Sequence, residues 1–158
     1  MCDKKEQLLH LLRKYDWKVA TAESCTGGLV AAFLCDIAGI SAYFEEGFIT
    51  YSETAKIKNL GVSPETIEKY GVVSVETAME MAVGAAKRAG ATCAISTTGI
   101  AGPSGGTEKT PVGTVCFGCV VNGQVFADCK IFEGNRKEVR IQAAEYALHF
   151  LYEQIGKI

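Results

Sequence analysis

Ser24 is a candidate nucleophile of this chain. It lies in Thr21-Ala22-Glu23-Ser24-Cys25-Thr26-Gly27-Gly28, between the run Trp17-Lys18-Val19-Ala20 and the apolar segment Leu29 to Ile37. The first flank reads as a strand and the second as a helix. A strand that becomes a helix through Ser, Thr and paired Gly lets backbone come close to a ligand. It also presents unpaired N–H groups and a positive dipole end to an anion. A hydroxyl at Ser24 could attack a carbonyl while those N–H groups receive the oxyanion, which makes Thr26 and Gly27 candidate substrate contacts. The stretch is not G-x-S-x-G, because Ala22 stands where that elbow has Gly, and it is not G-x-x-x-x-G-K-[ST]. Turns of this kind also bind phosphate or simply turn the chain. Cys25, adjacent and intrinsically more reactive, is a rival nucleophile.

Two further segments carry chemistry. Arg136 and Arg140 are four apart in a helix that opens at Asn135, so they are neighbours on its surface, and as cations they oppose its dipole. Arginines so placed point to an anion held between them; a solvated charged face accounts for the segment equally well. Gly99 to Pro111 is longer and richer in Gly and Pro than any other loop of the chain. A structureless loop of that length in a compact domain is usually functional, the plain alternative being a surface insertion.

The elements that must position these groups follow from periodicity and punctuation. Lys4 to Tyr15 reads as an amphipathic helix, Trp17 to Ala22 as the first strand, and Thr26 to Ile37 as the next helix. Tyr43 to Tyr51 reads as a strand. A helix capped by Ser52 ends at Gly61, and one capped by Ser63 with Pro64 behind it ends at Gly71. Ser74 caps a long helix to Arg88, and Ala94 to Thr98 is a strand apolar on nearly every side, as a central strand is. Val112 to Val121 and Gln124 to Phe132 form a hairpin over Asn122-Gly123, and a last helix runs from Asn135 to about Gln154. The alternation implies an α/β fold: a three-layer α/β/α sandwich with a mixed, mostly parallel sheet and one antiparallel hairpin strand.

A chain of 158 residues with 48% hydrophobic content is expected to be one domain, 1–158, with a full core. A net charge of −2 argues against a nucleic-acid or membrane partner. No stretch is long enough to span a bilayer, and Met1-Cys2-Asp3-Lys4-Lys5 lacks a signal-peptide apolar region. Seven cysteines, several in apolar runs (Cys35, Cys93, Cys116, Cys119), fit reduced thiols in a cytoplasm. Cys116 and Cys119 lie three apart on a predicted strand and point to opposite faces, so they cannot share a metal or a bridge. His10 and His149 each stand alone, and neither metal nor cofactor is expected.

The ordered motifs are Ala22-Glu23-Ser24-Cys25-Thr26-Gly27-Gly28, Thr50-Tyr51-Ser52 with Lys56, and Gly71-Val72-Val73-Ser74. Next come Thr98-Gly99-Ile100-Ala101-Gly102-Pro103 with Gly105-Gly106, then Pro111-Val112-Gly113, and finally Gly134-Asn135-Arg136 with Arg140. From about Leu8 to Leu151 the chain thereby resembles the C-terminal domain of the competence/damage-inducible CinA proteins, which also occurs as a stand-alone nicotinamide-nucleotide amidase. The resemblance implies a metal-free Ser–Lys hydrolysis of the amide of nicotinamide mononucleotide, in a unit that is often a homodimer. It places the nucleophile at Ser24 rather than Cys25, the base at Lys56 and its helper at Tyr51. It places substrate contacts at Thr98, with Gly99 beside it, and at the basic pair Arg136 and Arg140. The pyrophosphatase-like domain of larger members is not in this chain, so that activity is not expected. The chemistry is self-consistent, since neither His is placed for a triad and a lysine can serve if it is neutral. Lys56 falls in the first turns of a predicted helix, whose dipole favours the neutral amine; apart from the resemblance it reads as an ordinary surface lysine like Lys58. The reading of a different class is a nucleotide-binding or regulatory module without turnover, which the same glycines and arginines would serve.

Overall fold

The computed structural model describes residues 4–158. In chain order it contains α1 (Lys4–Tyr15), β1 (Val19–Glu23), α2 (Leu29–Cys35), a 3-10 turn (Ile40–Ala42), β2 (Phe44–Ile49), α3 (Glu53–Leu60) and α4 (Pro64–Tyr70). There follow α5 (Val75–Ala89), β3 (Cys93–Gly99), β4 (Thr114–Val121), β5 (Gln124–Ile131) and α6 (Arg136–Gly156). The expectation drawn from Met1 to Asp3 lies outside the described residues.

Five strands form one sheet in the order β2-β1-β3-β4-β5. β1 is parallel to both β2 and β3, while β4 is antiparallel to β3 and to β5. β4 is therefore the one strand that runs against the other four, as the α/β/α reading anticipates. The central strands β1, β3 and β4 are buried along almost their whole length because helices cover both faces. On one face α1, α2 and α6 close a large cluster around Leu12, Val30, Leu34, Phe117, Leu151 and Ile155. On the other, α5 packs Met81, Ala82 and Ala85 against Ala20, Ala22 and Ala94 of β1 and β3. Alanine dominates here because the helix rides close to the sheet. A Cβ at Gly118 of β4 would stand 2.1 Å from the Ala78 carbonyl of α5. Likewise a Cβ at Gly84 of α5 would stand 1.9 Å from the Leu60 carbonyl at the end of α3, so this glycine sets how near α3 can sit.

Local chemistry fixes the starts of the helices. Ser52 accepts from Ala55 N, Ser74 from Thr77 N and Asn135 from Glu138 N. Ser63 does not cap α4 in this way; its hydroxyl donates to Glu65 Oε2 at 2.6 Å. The largest boundary difference is at α2, which begins at Leu29 rather than at Thr26. Gly27 and Gly28 have φ of 58° and 107°, outside the right-handed helical region, so the helix cannot form until they are passed.

Candidate active site

Ser24 follows the last residue of β1, and its backbone N–H donates to Thr97 O of β3 at 3.0 Å. The chain then turns: Gly27 N donates to Ser24 O at 3.1 Å, which leaves Cys25 and Thr26 as the two central residues of the turn. Among the described residues neither the Cys25 nor the Thr26 backbone N–H donates to a backbone carbonyl, and the Cys25 N–H lies beside its own thiol. The turn directly after Ser24 thus holds two adjacent N–H groups without a backbone acceptor.

The first turn of α2 is not open. Glu23, 1% exposed, accepts from Val30 N at 2.8 Å and Ala31 N at 3.1 Å, and from the Thr26 hydroxyl at 2.6 Å. The anion expected at this helix end is the protein's own carboxylate, and the site for an oxyanion moves back into the turn. Thr26 also bonds Thr97 Oγ1 at 2.7 Å, so its side chain braces the turn from beneath. Sequence reasoning missed Glu23, whose one signal is an acid just before a Gly-rich helix start.

Lys56 lies one turn into α3 and is fully buried. Its Nζ donates to Ser24 Oγ at 2.8 Å, Thr50 O at 2.7 Å and Tyr51 O at 3.2 Å. Burial lowers its pKa from 10.5 to about 8, only partly opposed by the nearby Cys25 and Glu53. Burial acts in the other direction on Cys25, whose thiol is pushed up to about 12. The oxygen nucleophile therefore has a base in contact, whereas the sulfur is held as an unreactive thiol.

A cavity of about 400 Å³ opens above this pair. Ser24, Cys25, Tyr51, Lys56, Thr98, Gly99 and Arg136 all line it, with Ile100, Gly102 and Ser104 of the Gly99 to Pro111 loop forming one wall. Thr98 is held by a bond from its hydroxyl to Val72 O at 2.9 Å. Tyr51 meets Lys56 through its backbone carbonyl; its side chain is 60% exposed, and its hydroxyl accepts from Arg136 Nη2 at 3.0 Å. Arg136 also donates to Gly102 O at 2.7 Å, so it ties the loop to the cavity rim.

Arg140 is set apart from Arg136. It does not line the cavity, nor do Thr26 and Gly27. Its Nε donates to Cys25 O at 3.0 Å and its Nη2 to Thr26 O at 3.1 Å. The planar guanidinium holds two consecutive carbonyls of the turn and so fixes the backbone that follows Ser24. The two arginines thus have different partners: Arg136 lines the cavity, and Arg140 grips the turn after Ser24. Among the described residues no group of three His, Cys, Asp or Glu could hold a metal ion, and no helix is long and apolar enough to cross a membrane.

Known proteins give this arrangement a place. The family model described as the CinA C-terminal domain matches residues 2–155. A CinA-like protein of Kosmotoga olearia is 50% identical over 147 residues, covering 93% of this chain and 36% of that protein. The chain thus spans about a third of the length of such relatives. Nicotinamide-nucleotide amidohydrolase PncC of Escherichia coli K12 is 49% identical over 150 residues, covering 94% of this chain and 91% of that protein. The crystal structure of the competence damage-inducible protein A of Klebsiella pneumoniae superposes with a TM-score of 0.92 at 38% identity, over 97% of this chain and 95% of that one. With the family match running from end to end and the same sheet and helices in the solved relative, this chain belongs to the CinA C-terminal domain family.

Proposed function

We propose that this chain is a nicotinamide-nucleotide amidohydrolase, converting nicotinamide mononucleotide to nicotinate mononucleotide and ammonia through Ser24 and Lys56. The observation that carries the reading is the buried contact of Lys56 Nζ with Ser24 Oγ at 2.8 Å, in a cavity of the chain whose relative of almost equal length bears the amidohydrolase name. A neutral amine has two hydrogens and one lone pair. Thr50 O and Tyr51 O accept the two hydrogens, so the lone pair faces Ser24 and takes the hydroxyl proton. Ser24 Oγ then attacks the carboxamide carbon. The N–H of Cys25, a residue that lines the cavity beside Ser24, receives the oxyanion. The ammonium of Lys56 returns its proton to the leaving nitrogen, ammonia departs, and a water deprotonated by Lys56 cleaves the acyl-enzyme. Arg136, on the cavity rim, is placed for the nucleotide's phosphate.

Incubating the purified chain with nicotinamide mononucleotide and measuring ammonia tests this. Release by wild type and loss in Ser24→Ala is the expected result. No release, or full rate in Ser24→Ala, overturns it; binding without ammonia would mark a nucleotide-binding module. We further propose that the chain acts on this small-molecule nucleotide as a homodimer in the cytoplasm; light scattering of the purified chain tests the oligomer.

A further inference from the structure

Cys116 and Cys129 face each other directly across the hairpin of β4 and β5, with their sulfurs 2.8 Å apart. The hairpin fixes the geometry. Its two-residue turn, Asn122-Gly123, makes Val121 and Gln124 the closing hydrogen-bonded pair. Bonded and non-bonded pairs alternate from there, so Cys116 and Cys129 form a non-bonded pair, the kind whose side chains approach most closely. The Cys129 N–H agrees: it turns away from β4 and donates to Asp128 Oδ1 at 2.8 Å. Opposite residues in such a pair fall within the Cα separation a disulfide requires. Access is one-sided. Cys129 is exposed on the edge strand β5, while Cys116 is buried.

We propose that Cys116 and Cys129 are a reversible dithiol–disulfide site, oxidised by low-molecular-weight disulfides that enter at Cys129. The Cys129 thiolate attacks one sulfur of the small disulfide, forming a mixed disulfide and expelling a thiolate. Cys116 then attacks Cys129 Sγ, passing its proton to the departing thiolate. The protein pair loses two electrons and two protons, and the small disulfide gains them as two thiols. The bridge would fasten the edge strand to β4 in the row that continues through Cys116 to Thr98 of β3, on the cavity wall. The other described cysteines lack such an opposite partner: Cys119 stands across from Phe126. This site does not depend on the amidase reading.

The test is to reduce the full chain, remove the reductant and incubate it with oxidised glutathione. It is then digested with trypsin and a protease that cleaves before Asp128, without reductant. The expected result is a loss of two free thiols and a link between the Thr110–Ala127 and Asp128–Lys130 fragments. That link persists in Cys119→Ser, vanishes in Cys116→Ser and Cys129→Ser, and is released by dithiothreitol. Separate fragments in wild type, glutathione retained on Cys129 alone, or a link that survives in Cys116→Ser would overturn the proposal.

Discussion

Lys56 Nζ and Ser24 Oγ lie 2.8 Å apart although 32 residues separate them in the chain. Burial keeps the amine near the pH at which it changes charge, about 8. The neutral form is the base, so kcat/KM for ammonia release should rise with pH, reach half its plateau near pH 8 and level off above it. Lys56→Ala should lose at least about a hundredfold at the plateau, the usual size of a general-base effect. A flat profile from pH 6 to 9 would remove Lys56 from that role.

The same group should leave a mark on stability. Its pKa is lower in the folded chain than the ordinary 10.5, so between about pH 8 and 10.5 the unfolded chain binds more protons. Stability due to this residue therefore rises with pH across that window, and below pH 8 the burden of the buried charge is present in full. Denaturant titrations of wild type against Lys56→Met should show wild type gaining on the order of 3 kcal/mol relative to the variant over that range. A pH-independent difference would contradict the burial effect.

The two arginines should separate kinetically. Arg136 lines the cavity, so Arg136→Ala should raise KM by about tenfold to a hundredfold, the worth of one charge-assisted contact. Arg140 donates to the Cys25 and Thr26 carbonyls and does not line the cavity, so Arg140→Met should lower kcat by a similar factor with KM nearly unchanged. Equal KM effects from both would return Arg140 to direct substrate binding.

Cys25 adjoins the nucleophile, but its thiol is pushed up to about 12. Alkylation with iodoacetamide at pH 7 should leave it unmodified, and Cys25→Ala should keep activity within about tenfold of wild type. Loss of activity comparable to that of Ser24→Ala would transfer the nucleophile's role to sulfur.

Gly84 should be intolerant of even one methyl group. Alanine favours a helix interior by about 1 kcal/mol, yet its Cβ would meet Leu60 O at 1.9 Å. Gly84→Ala should therefore destabilise by about 1–3 kcal/mol in urea unfolding. It should also slow ammonia release, because α3 carries Lys56.

Local rules account for what was legible in advance. The caps Ser52, Ser74 and Asn135 and the Asn122-Gly123 turn depend on neighbours within a few residues, and all four stand where periodicity and turn chemistry put them. The layered sheet follows from the same alternation. What escaped was the identity of long-range partners. Nothing in Glu23 says that it will be buried under α2, because its partners Val30 and Ala31 contribute only backbone. Arg140 reads as half of an anion site until the turn it grips is in place. The resemblance implies Tyr51 as the helper of Lys56, and the atom that meets Lys56 is its carbonyl, which every residue type possesses.

The guanidinium of Arg140 spans 115 positions of sequence to reach the Cys25 carbonyl. During synthesis the hydroxyl and the amine emerge well before the helix that steadies their turn. A nascent chain that ends before residue 136 would hold both reactive groups and still lack the brace that aims the backbone around them. Catalytic competence would then wait on the arrival of α6, with Arg140 as its timer.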